Sequence, residues 1–142
     1  MSKAFVILMA IFFSQYSLAD CIDIKGTHYC GEGECIEFNG MAYCAKNEFG
    51  KVVIYKNAVY CGSGNCLERD GNMYCSQFPG GGIIEHDKAL WTGPGECIVH
   101  DDSAYCAKKP RGKCFVIDGA VNCEGGWVEE VPHIAERCTT TN

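Results

Sequence analysis

The chain has 142 residues, 12 of them cysteine, and a net charge of −6 at pH 7. That length suits a single domain, and the acidic balance argues against a nucleic-acid or anionic-membrane partner. Cysteine at this density in a short chain marks a disulfide scaffold in place of a large apolar core.

The segment from Met1 to Ala19 reads as a secretory signal. Lys3 supplies a basic start, Ala4 to Phe13 is an apolar run, and Ser17-Leu18-Ala19 places small residues for cleavage after Ala19. The run is half as long as the roughly 20 residues that cross a bilayer, so no membrane span is expected. Leu18-Ala19-Asp20-Cys21 departs from a lipid-attachment motif at Asp20, where a small residue is required. Loss of the signal removes Lys3 and takes the net charge to −7.

From Cys21 the chain repeats. Ten-residue units begin at Cys21, Cys35, Val52, Cys66, Ile83, Cys97 and Cys114, alternately 14 and 17 positions apart, so the period is 31. Within a period, four-residue links join the units: Gly31-Glu32-Gly33-Glu34, Gly62-Ser63-Gly64-Asn65 and Gly93-Pro94-Gly95-Glu96. Seven-residue links, 45–51, 76–82 and 107–113, lead to the next period.

At the centre of each unit stands a turn pair: Lys25-Gly26, Asn39-Gly40, Lys56-Asn57, Asp70-Gly71, Asp87-Lys88, Asp101-Asp102 and Asp118-Gly119. A two-residue hairpin needs positive φ at both positions, which Gly adopts freely and Asn and Asp tolerate better than most. Each unit is therefore expected to be a β-hairpin. After the seventh unit and its Glu124-Gly125-Gly126-Trp127 link the pattern fails, with Pro132 and His133 at the expected turn. The domain boundaries read 1–19 signal, 20–127 hairpin repeat and 128–142 divergent cap or tail.

Register follows from the turn. With Asn39-Gly40 as the loop, Cys35 faces Cys44 at a non-hydrogen-bonded pair, where Cα atoms lie about 4.5 Å apart, within disulfide range. The same arithmetic pairs Cys21 with Cys30, Cys66 with Cys75, Cys97 with Cys106 and Cys114 with Cys123. In the unit from Ile83 both ends are lost together, to Ile83 and Thr92, as a bonded pair would be. Pairing across the short links would instead orphan six cysteines. Cys61 and Cys138 remain, and a bridge between them would tie down the tail. The chain-entropy account gives about 2.7 kcal/mol for each ten-residue staple.

The second residue of every unit is apolar, and it opposes the ninth: Tyr29, Tyr43, Tyr60, Tyr74, Trp91 and Tyr105, then Asn122. This aliphatic–aromatic stripe is expected to pack between hairpins, with the disulfide on the other face. A lone hairpin is marginal in water, so the seven must stack. The fold class is all-β, disulfide-stapled tandem hairpins, with an open stack or solenoid favoured over a closed propeller- or trefoil-like ring. The G-x-x-Y of Gly40 to Tyr43 and Gly71 to Tyr74 resembles the hairpin repeats of choline- and glucan-binding modules. Those repeats carry further aromatics where this chain carries Cys.

Catalytic motifs are lacking: there is no G-x-S-x-G, H-E-x-x-H or C-x-x-C. No catalytic, cofactor or metal residue is assigned. His86 and His100 share the fourth position of consecutive units, beside Asp101 and Asp102, but two imidazoles without a fixed third ligand do not make a metal site. The Gly-x-Gly links join strand to strand and carry Glu32, Glu34 and Glu96, so they read as connectors and not as phosphate loops. The chain is expected to be a secreted or periplasmic, non-enzymatic scaffold with a protein or glycan partner, the six ninth-position aromatics being possible ligand-facing groups. An inhibitor or immunity-type protein that plugs a hydrolase with the 76–82 link or the tail is the alternative. A self-associating structural protein is a further one.

Overall fold

A computed structural model describes residues 20–128 and 132–138. The signal, its cleavage point after Ala19 and the rest of the tail lie outside these residues.

All described structure is strand, turn and connector. β1 (Asp20–Ile24) and β2 (Thr27–Gly31) form the first hairpin, and β3 (Cys35–Phe38) and β4 (Met41–Cys44) the second. The third pairs β5 (Lys51–Tyr55) with β6 (Ala58–Gly62), and the fourth β7 (Cys66–Arg69) with β8 (Asn72–Cys75). Next come β9 (Gly82–His86) with β10 (Ala89–Gly93), then β11 (Cys97–His100) with β12 (Ser103–Ala107). β13 (Cys114–Ile117) and β14 (Ala120–Cys123) make the seventh. All seven turns hold positive φ at both central residues, including Asp87 (52°) with Lys88 (61°) and Asp101 (44°) with Asp102 (60°), where the local residue signal is weakest.

Five disulfides close the open ends of hairpins, with Cα separations of 4.0–4.2 Å: Cys21–Cys30, Cys35–Cys44, Cys66–Cys75, Cys97–Cys106 and Cys114–Cys123. The sixth joins Cys61 to Cys138 with a Cα separation of 5.4 Å. In the fifth hairpin Ile83 opposes Thr92, whose fully buried hydroxyl has no protein partner among the described residues. Six disulfides fit an oxidising extracellular or periplasmic environment. Among the described residues no helix is long and apolar enough to cross a membrane.

The hairpins form small antiparallel sheets, none closed into a barrel. They stack in chain order, face to face. Ile36, Phe38 and Tyr43 on one face of the second hairpin pack against a cluster of Ala45 with Val52 and Val59, which lie on the opposite face of the third. The aliphatic–aromatic face of one hairpin thus meets the disulfide face of the next. The aliphatic–aromatic stripe packs between these hairpins as expected, and the deepest burial lies on the disulfide face. Cys44, Cys75 and Cys106, with Ala42, Met73 and Ala104 beside them, are buried, whereas Tyr43, Tyr74 and Tyr105 are half-buried. The half-cystines and small side chains permit the closest approach.

Glycine sets that approach. A Cβ on Gly31, Gly62 or Gly93 would overlap Cys44, Cys75 or Cys106, at 2.5 Å for Gly93. Two residues on, the amides of Gly33, Gly64 and Gly95 donate to the carbonyls of Ala45, Ser76 and Ala107 at 3.2, 3.1 and 2.9 Å. Acidic side chains preceding a hairpin also reach forward. Asp20 Oδ2 accepts from the Cys35 amide at 2.9 Å, and Glu34 Oε2 from the Val52 amide at 3.0 Å.

After the seventh hairpin the chain turns back. β15 (Trp127–Val128) pairs with β12, β16 (His133–Ile134) with β8, and β17 (Glu136–Arg137) with β6. The tail therefore runs from the sixth hairpin to the fourth and third, where Cys138 anchors it.

The stacking contact gives a direct test. Gly93→Ala should destabilise the fold by about 3 kcal/mol or more, because overpacking here forces the backbone and a half-cystine apart. Gly119→Ala, at a turn with φ of 78° and no atom within 4 Å, should cost only about 1–2 kcal/mol. Guanidinium unfolding curves measure both, and equal costs would contradict the packing described.

Candidate functional site

The seven-residue links meet on one side of the stack. Phe49, Gly80 and Arg111 occupy the same position in the three links, and all have left-handed backbone, with φ of 64°, 68° and 56°. The Arg111 guanidinium lies 3.9 Å from the centre of the Phe49 ring. Gly80 sits between them, where a Cβ would come within 2.9 Å of Phe49 Cβ and 3.3 Å of Arg111 Cγ. Four hairpins separate Phe49 from Arg111. In a straight stack at about 10 Å per sheet they would lie about 40 Å apart. Their contact means that the stack curls, with the links on its inner side.

Each link is rigid. The amides of Gly50, Gly81 and Gly112 close turns onto the carbonyls of Asn47, Phe78 and Lys109 at 2.8–2.9 Å. Arg111 N donates to Pro94 O and Gly80 N to Ser63 O, both at 3.0 Å, which ties long links to short ones. Asn47 Nδ2 adds a 2.7 Å bond to Ser63 Oγ. At the last link Lys109 Nζ and the Lys113 amide each bond Glu124 at 3.1 Å. These contacts, the Lys109 side chain foremost, hold the Glu124 carboxyl below the usual carboxylate range.

Together the links frame a depression of about 430 Å³. Phe49, 40% exposed, lines it with Phe78, Pro79, Pro94 and Pro110, and the carboxylates of Glu32 and Glu48 join Arg111 around them. An apolar floor with a few charged groups is the usual make-up of a ligand cleft. Sequence reasoning missed this surface. Its residues lie in connectors with no shared side-chain motif, and the shared left-handed position is occupied by Phe, Gly and Arg in turn.

The ninth-position aromatics lie elsewhere. Tyr29, Tyr43, Tyr60, Tyr74, Trp91 and Tyr105 are all half-buried, paired with Ile22, Ile36, Val53, Leu67, Ile84 and Ile98. Arg137 and Ile134 of the tail pair with Tyr60 and Tyr74, and the Trp127 ring meets that of Tyr105 edge-on at 5.3 Å.

Fourth-position side chains stitch the turns. Arg69, His86 and His100 each bond a turn carbonyl of the following hairpin, those of Lys88, Asp102 (2.9 Å) and Gly119 (3.2 Å). His86, Asp87 and Asp102 also place a potential metal-ligand atom apiece within 4.8 Å of one another. Sequence reasoning did not bring Asp87 to this corner. The bond from Nε2 to the Asp102 carbonyl commits that ring nitrogen to holding the turn.

A second groove, also of about 430 Å³, runs between the returning tail and the ends of the second, third and fourth hairpins. Half-cystines of Cys44, Cys61, Cys75 and Cys138 line it, with Lys46 and Arg137 among its charged groups. The Cys61–Cys138 bridge fixes its outer wall. Comparison with family models, curated proteins and solved structures finds no match to the chain.

The tail bridge joins residues 77 positions apart, so its loop-closure contribution is up to about 4.5 kcal/mol. Cys61→Ser with Cys138→Ser should leave the five hairpin disulfides intact and lower stability by no more than this amount. Hydrogen exchange at 133–137 should become fast, and unchanged protection there would show that the bridge does not hold the tail.

Proposed function

We propose that the protein is a secreted, non-enzymatic binding scaffold whose link surface receives a short stretch of a protein or glycan partner. The convergence of Phe49, Phe78 and three prolines on a rigid, disulfide-stapled frame carries this reading. Connectors on a rigid scaffold are where binding groups concentrate, and pre-ordered loops lose little entropy on association. Aromatic rings offer apolar faces to a sugar ring or side chain. Glu32, Glu48 and Arg111 offer acceptors and donors for hydroxyl or amide groups.

The hydrolase-plug alternative is less well supported. It needs a projecting segment, and the described parts of both candidates are tied to the hairpins. In the 76–82 link Ser76, Gly81 and Gly82 are buried, and His133–Ile134 and Glu136–Arg137 pair as strands with β8 and β6.

Partners captured by the secreted chain, or ligands from a glycan array, test the proposal. Phe49→Ala with Phe78→Ala should weaken binding by about 30-fold, the loss of a single interface hot spot of about 2 kcal/mol, while the disulfide map stays unchanged. Full affinity in this variant would rule out the link surface as the binding site.

A further inference from the structure

The stack has two unlike ends. Between the second and third hairpins the face bearing positions two, four and nine seats on the disulfide face of the successor, Ile36, Phe38 and Tyr43 packing on Val52 and Val59, and position eight of that disulfide face is buried in hairpins two to six. Among the described residues two faces are left over. On the first hairpin Cys21, Asp23, His28 and Cys30 are all exposed, and on the seventh Phe115, Ile117, Ala120 and Asn122 are all exposed.

Their chemistry differs. The eighth position, on the disulfide face, is Ala42, Val59, Met73, Leu90, Ala104 or Val121 in hairpins that follow another. In the first hairpin it is His28, whose Nδ1 lies 2.6 Å from Asp23 Oδ1. That end carries a polar cap. The seventh hairpin presents Phe115 at 48% and Ile117 at 55% exposure. Trp127 and Val128, which follow this hairpin, pair with β12 and not with this face. Asn122 replaces the ninth-position aromatic, which leaves the face without the ring that stands at its edge in the other six.

We propose that this face docks on the same face of a second copy of the chain, about a two-fold axis. The contact differs from the internal ones, in that like face meets like face, because the polar first end blocks head-to-tail growth. An isologous contact closes at the dimer. Charge selects the orientation. With strands of the two copies antiparallel, Asp118 at the turn of one meets Lys113 at the open end of the other. A parallel arrangement would stack Asp118 on Asp118. One hairpin face is smaller than a standard interface, so the dimer is weak and concentration-dependent.

Sedimentation velocity of the secreted chain from micromolar to millimolar concentration tests this. The sedimentation coefficient should rise from monomer to dimer and stop there. Phe115→Lys with Ile117→Lys should remain monomeric throughout with all six disulfides formed, and His28→Asn should dimerise as the parent does. On dilution, amide shifts should change in 113–123 alone. A parent chain that stays monomeric, a double variant that still dimerises, or oligomers that grow past the dimer and depend on His28 would each overturn the proposal.

Discussion

The structure depends on one close approach, that of the backbone leaving an odd-numbered hairpin to the disulfide of the next. Gly31, Gly62 and Gly93 stand against Cys44, Cys75 and Cys106 with no room for a side chain. This contact makes the pair of hairpins, and not the single hairpin, the true repeat, because only alternate hairpins carry the glycine. It also lets the Gly33, Gly64 and Gly95 amides reach the carbonyls at which the following hairpin ends, so that short links are joined to long ones by hydrogen bonds as well as by apolar contact. A disulfide suits the position. It is compact, apolar and held by its own hairpin, so it supplies a surface that needs no further ordering when the neighbour closes on it.

How far the amino-acid pattern reveals this architecture depends on the range of each interaction. Turn type, register and hairpin bridges are legible because each is decided within ten residues. Asn39-Gly40 sets the loop, and counting outward places Cys35 on Cys44. Cys61–Cys138 is reached by elimination from the loss of a cysteine at Val52. Which face lies deepest does not follow from side-chain size. Large residues such as Tyr43 and Tyr74 suggest an inner face, but in a stack both faces are covered and the smaller one packs closer. The meeting of Phe49 with Arg111 is not legible at all. It arises from a curl accumulated over four hairpins, and no local rule ties a Phe to an Arg two full periods further along the chain.

Function, in such a frame, lies where the repeat departs from itself. Six of the hairpins repeat an aliphatic–aromatic pair, and five close with a disulfide. The links vary, and they carry Phe49, Phe78, Arg111 and all the prolines of the depression. The two ends vary as well, one closed by the His28–Asp23 pair and the other open at Phe115 and Ile117. Stability and specificity are thereby separated: changes in the links need not disturb the glycine–disulfide contacts. A small acidic chain held by local staples can then tolerate strained left-handed residues such as Phe49 and Arg111, because the surrounding turns over-determine them.

Consecutive hairpins are seated face on face and do not behave as independent stapled beads. Proton–proton Overhauser effects in solution report this seating directly. Cross-peaks are expected from the Phe38 and Tyr43 rings of the second hairpin to the methyls of Val52 and Val59 in the third. A spectrum in which every long-range cross-peak stays within a single hairpin would contradict it.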